Sequence, residues 1–207
     1  MLTNATDARR KNLIHLVSLA TLTAIVLILQ LLGVGIKLPF LATPVSLVLV
    51  PIVLGAIVLG KWAGAWLGFV FGMVVFITCG VMGQDPLFTG ILFQNHPFLT
   101  FLTCTVKSTV AGFVAGWVYE LLSRKNTLLA TFVASALVPI LNTLIFMLGC
   151  FTMMDTFQEN FLGGMNMLYF LVVVCAGVNF LFELAVNMIF APAIHRIGLV
   201  VIRKFSK

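Results

Sequence analysis

Residues 98–122 read FLTFLTCTVKSTVAGFVAGWVYELL, a run longer than the roughly 20 residues a helix needs to cross a bilayer, with one cation, Lys107, deep inside it. Similar runs recur along the chain. We place six spans, at 13–32, 45–59, 62–82, 98–122, 128–150 and 167–190, the second being short and carrying Pro51. None alternates apolar with polar residues at the period of two that a membrane strand requires, and all are far longer than such a strand. The fold class read from the sequence is an all-α membrane protein, a single six-helix domain over residues 1–207.

Composition agrees with lipid as the solvent. Hydrophobic residues make up 61% of the 207 and charged residues 9%, against about 45–50% and 25% in ordinary soluble domains. The net charge of +6 is not gathered into a stripe with interleaved aromatics, so it does not point to nucleic acid. It is distributed by side instead. Arg9, Arg10, Lys11, Lys61, Arg124, Lys125, Arg196, Arg203, Lys204 and Lys207 fall on one side of the six spans, whereas Lys37 falls on the other with Asp85, Asp155 and Glu159. The excess of Lys and Arg marks the cytoplasmic face, so both termini are expected in the cytoplasm, with the chain crossing the cell membrane as a multi-pass protein. The first apolar run is too long for a cleaved leader and is taken as the first helix.

Links on the expected outer side, 33–44, 83–97 and 151–166, are longer than those inside and carry turn signals such as GQDP at 83–86 and QNHP at 94–97. Loops of that kind either connect or fold over a site as a lid. On the lid reading Asn95 reaches a ligand.

Ionisable groups within spans are costly and need a partner or a use. Lys107 lies roughly 14 Å below the outer end of its helix at 1.5 Å per residue, a depth a ligand entering from outside reaches. It reads either as a cation for an anionic ligand or as the ion-pair partner of Glu183, which is expected several residues deeper. Asn179, Glu183 and Asn187 share one face of the sixth helix at four-residue spacing. Asn179 is a cavity candidate, and Glu183 and Asn187 read as interhelical hydrogen-bond groups. Asn142 and Thr143 sit near the level of Lys107, beside Pro139, whose missing N–H opens the helix. Gly64, Gly68 and Gly72, and Gly112 and Gly116, mark faces for close helix packing, as do Ala20 and Ala24. Cys79, Cys104, Cys150 and Cys175 read as reduced apolar filler, and His15, His96 and His195 are too scattered to hold a metal. No phosphate-binding loop, HExxH or GxSxG occurs, and no nucleophile and base can be paired, so the chain is not read as an enzyme and needs no cofactor of its own.

These features resemble the substrate-binding S component of energy-coupling factor (ECF) vitamin transporters. The resemblance is carried by DARRKN at 7–12 before the first helix, the AxxxA of Ala20 and Ala24, LVPIVLG at 49–55, GAWLG at 64–68 and PILNT at 139–143. It implies that Ala20 and Ala24 dock on a membrane coupling subunit, that two cytoplasmic ATPase subunits consume ATP, and that a vitamin binds near the outer side. The sequence looks closest to the folate and pantothenate branch, and the single Lys107 favours pantothenate, with folate, riboflavin and cobalamin as alternatives. Under the resemblance Lys107, Asn142, Thr143 and Asn179 are pocket candidates by depth, with Asn95 above them. The competing class is a structural or assembly membrane protein whose polar stripe only holds helices together.

Overall fold

The computed structural model describes residues 2–33 and 47–205, with side-chain surroundings for 9–32 and 47–201. The elements in chain order are α1 (Leu2–Gly33), α2 (Leu49–Val58), α3 (Lys61–Val75) running on as a π-helical stretch Phe76–Val81, α4 (Thr89–Asn95), α5 (Pro97–Leu122), α6 (Thr127–Phe151), α7 (Met154–Asn160), α8 (Met167–Tyr169) with a second π-helical stretch Phe170–Gly177, and α9 (Val178–Phe205). No strand occurs among the described residues.

Five helical stretches are long and apolar enough to cross a membrane: Arg9–Leu32, Lys61–Val81, Pro97–Leu122, Thr127–Phe151 and Met167–Val201. The sixth expected span is different. At 10 residues α2 is only about 15 Å long, too short to span the hydrocarbon, and it is sheltered by its neighbours, with Leu49, Ile52, Val53 and Ala56 fully buried. Pro51 falls in its first turn, where a missing N–H costs no helical hydrogen bond, so it starts the helix and does not kink it. Residues 45–46 of the expected span, the outer link 33–44 apart from Gly33, and Lys37 lie outside the described residues. Gly60, with φ +94°, makes the sharp turn from α2 into α3.

The centre of the bundle is the antiparallel pair α3 and α5, and glycine spacing explains their closeness. A methyl group on Gly64 would lie 2.5 Å from the carbonyl oxygen of Gly112, one on Gly72 would lie 2.7 Å from the Cα of Thr105, and one on Gly116 would lie 2.5 Å from the Cα of Lys61. Gly68 meets the backbone of Ser108 in the same way. One small residue per turn on each helix lets backbone touch backbone, the packing expected of these glycines. At one end of the seam Lys61 Nζ donates to Glu120 Oε2 at 2.9 Å.

Further helices close round this pair. α6 packs along α5, α9 along α6, and α1 lies at the edge against α2 and α3. Only Val26 and Gln30 of its described side chains are buried, while Ala20 and Ala24 are exposed. Asn126 caps α6, its Oδ1 accepting from the amides of Leu128 and Leu129.

Hydrogen bonds across elements sort the two ends. His15 contacts the carbonyl of Leu59 at 3.1 Å, Lys61 meets Glu120, and Thr131 Oγ1 meets His195 Nδ1 at 3.3 Å. Arg124 and Lys125, between α5 and α6, belong to this basic end. At the opposite, acidic end His96 Nε2 meets Asp155 Oδ2 at 3.2 Å, and Asp85 Oδ2 accepts from the amide and hydroxyl of Thr89. One buried apolar cluster, with Leu49, Ile52, Leu67, Ala111 and Ala134, fills the body of the bundle. A second, with Phe88, Met153, Phe157, Phe170 and Leu171, gathers toward the acidic end.

Candidate ligand cavity

Between the two apolar clusters lies a cavity of about 100 Å³, measured as the space open to the centre of a water molecule. That is room for a small organic ligand or several waters. Its walls come from α1, α3, α5, α6 and α9, and the short helices of the acidic end lie over it.

Lys107 of α5, Asn142 and Thr143 of α6 and Asn179 of α9 all line this one space. Depth counted along three separate helices thus groups residues that border one space. Lys107 Nζ stands 4.9 Å from the centroid of the Phe146 ring, close enough for the ring face to attract the ammonium. Glu183 of α9 lines the same space as Lys107, so the wall holds an acid as well as a base. Asn142 is 7% exposed and its Oδ1 has no hydrogen-bond donor among the described residues. A buried amide oxygen left in this state is an acceptor awaiting a ligand or a water.

Other placements depart from expectation. Asn95 is not part of the wall, because its Nδ2 donates to the carbonyl of Ile91 within α4 and the residue is exposed. Glu183, expected below the cavity, lines it and is 4% exposed. Asn187 donates through Nδ2 to the carbonyl of Glu183 at 2.8 Å, a bond within its own helix and not between helices.

Several wall residues had no sequence argument. Gln30, near the end of α1, is buried and faces the cavity, and Thr100 and Thr103 add hydroxyls from α5. Gln30 stands alone in a long apolar run, a signal that could have found it. Both π-helical stretches border the site, through Cys79 on one side and Cys175 and Ala176 on the other. A π turn widens the helix and re-aims side chains, and such turns are frequent at functional sites. Cys79, Cys104 and Cys175 line the wall as buried cysteines outside any disulfide, and Cys150 is buried nearby in the second cluster.

The connections 83–97 and 151–166 fold into α4 and α7 and close over the site with aromatic rings. Phe88, which lines the cavity, packs on Phe161 at 5.2 Å, Phe157 at 5.9 Å and Phe146 at 6.1 Å between centroids. The contact of His96 with Asp155 ties the start of α5 to α7. The amide of Thr156 holds the Asp155 carboxyl below its ordinary range, and the nearby His96 adds to the effect.

Spanning helices around one capped cavity, with a cation, amides and hydroxyls set in an apolar wall, define a membrane protein built to bind a small molecule. The family model for the ECF transporter substrate-specific component matches residues 15–195, and the chain belongs to that family. It is thus a substrate-binding membrane subunit, of a family of transporter subunits and not of enzymes, that associates with the membrane and ATPase modules of ECF transporters. Searches of curated proteins and of solved structures return no match to this chain.

Proposed function

We propose that the cavity binds a small monocarboxylate vitamin, with pantothenate as the ligand, taken from outside the cell and delivered by an ATP-driven importer. The observation that carries this reading is Lys107, a cation that lines the cavity with its ammonium beside the Phe146 ring. In a site of reduced dielectric its ammonium attracts a carboxylate more strongly than in water. Asn142 and Thr143, and Asn179 across from them, supply partners for hydroxyl and amide groups. Pantothenate carries one carboxylate, two hydroxyls and an amide, and this set matches one cation among amides and hydroxyls. Folate brings a second carboxylate, which would meet Glu183 in the same wall.

On this reading six helices make the bundle, the short α2 among them, and both termini face the cytoplasm with the basic end. Ala20 and Ala24, on the exposed side of α1, dock on the coupling subunit, and two ATPases beneath it use the ATP. Calorimetric titration of the purified chain in detergent with pantothenate, folate, riboflavin and cobalamin tests the ligand. Saturable one-to-one binding of pantothenate alone is expected. Preference for a neutral vitamin, or binding of none of the four, refutes the assignment.

A further inference from the structure

A second polar feature begins where the cavity ends, in the seam between α6 and α9. The contact of Thr131 Oγ1 with His195 Nδ1 at 3.3 Å fixes the register of the two antiparallel helices near the basic end. Stepping one turn at a time toward the cavity brings Ser135 level with Ala191, Pro139 level with Asn187, and Thr143 level with Glu183. Ser135 and Asn187 are 0% and 1% exposed, yet neither Ser135 Oγ nor Asn187 Oδ1 has a hydrogen-bond partner among the described residues. Asn187 spends its Nδ2 on the carbonyl of Glu183, so its oxygen is left as an acceptor. Pro139 has no N–H, which leaves the Ser135 carbonyl without its usual helical donor. Asn142 Oδ1, in the cavity wall, is a third such oxygen.

The amide and carbonyl oxygens call for a donor, the Ser135 hydroxyl can donate or accept, and these groups lie on successive turns, about 5 Å apart along the axis. A single cation would need its oxygens together in one shell at about 2.3–2.6 Å, which this spacing does not offer. Water molecules, each bridging two or more polar groups, do fit oxygens strung one per turn. We infer that the α6–α9 seam binds a file of internal water that continues the ligand cavity toward Thr131 and His195. Pro139 supports it twice, by withholding a donor from Ser135 and by weakening the helix where Asn187 arrives. The cavity is then hydrated from the basic end as well as from beneath its aromatic cap, whichever ligand it holds.

Hydroxyl-radical footprinting by X-ray radiolysis marks side chains beside bound water, and the full chain in lipid nanodiscs is the sample. Oxidation is expected in the peptides that carry Ser135–Pro139 and Asn187, with the oxygen drawn from isotopically labelled water. In the Ser135→Ala, Asn187→Leu double variant that labelling falls to background, while Met153 beneath the cap is labelled as before. Should the double variant fail to fold, Ser135→Ala alone is expected to reduce the seam labelling. An unlabelled seam in the natural chain, or labelling unchanged in folded variants, overturns the inference. So does labelling that depends on sodium or potassium, because the oxygens would then hold an ion.

Discussion

Replacing Lys107 with Ala separates a ligand-binding cation from a structural one. The ammonium sits 4.9 Å from the Phe146 centroid. Its contribution to folding is then a cation–π contact of about 0.5–2 kcal/mol, offset by the cost of keeping a charge half-buried. Its contribution to binding is larger, because truncating one member of a buried charge pair costs about 2–5 kcal/mol. At about 1.4 kcal/mol per tenfold, affinity for a carboxylate ligand should fall from roughly 30-fold to several thousand-fold while thermal stability changes little. Lys107→Arg should also bind less well, since a planar guanidinium does not replace a compact ammonium. Titration calorimetry and thermal unfolding of the same preparations read both effects. A normal dissociation constant in Lys107→Ala, with lost stability restored by Glu183→Gln, would refute the reasoning and make the pair structural.

Three further outcomes follow from the packing and the cap. Gly68→Ala forces a methyl group to 2.6 Å from the carbonyl carbon of Ser108 and should cost about 1–3 kcal/mol by overpacking; Gly198→Ala, with its nearest neighbour at 3.4 Å, should be tolerated, and equal melting of the two would contradict the seam. Replacing Ala20 and Ala24 with Leu on the exposed side of α1 should weaken co-purification of the coupling subunit without altering the melting of the isolated chain. The Asp155 carboxyl is held below its ordinary range by the amide of Thr156 and by His96; a depressed carboxylate stabilises above its unfolded pKa of about 3.9 and loses that effect as pH falls through the folded value. Hydrogen exchange in α7 should accelerate below about pH 4 in the natural chain, and Asp155→Asn should remove that dependence.

The spans legible in the sequence were those whose apolar length settles the matter alone, as at 98–122 and 128–150. α2 was not, because a buried helix too short to cross carries the same apolar letters as the end of a longer one; only its neighbours distinguish them. The glycines of α3 and α5 were readable because four-residue spacing has one geometric use between helices in lipid. Depth along a helix was enough to gather Lys107, Asn142, Thr143 and Asn179, since rise per residue is nearly fixed. It misplaced Glu183 and said nothing of Gln30, where rotation about the axis and the π turns at Phe76–Val81 and Phe170–Gly177 decide what faces inward. Asn95 stands outside the wall for another reason: α4 is a helix of its own, and the carbonyl of Ile91 takes the amide that a loop would have left free.

Mass spectrometry of the small molecules released from the purified natural chain tests most directly the central claim that this cavity holds an anionic vitamin. One carboxylate ligand per chain is predicted, pantothenate by mass, and the same purification of Lys107→Ala should yield protein without it. A neutral or cationic molecule retained equally by both proteins, or no retained molecule and no binding of added pantothenate, would contradict the account.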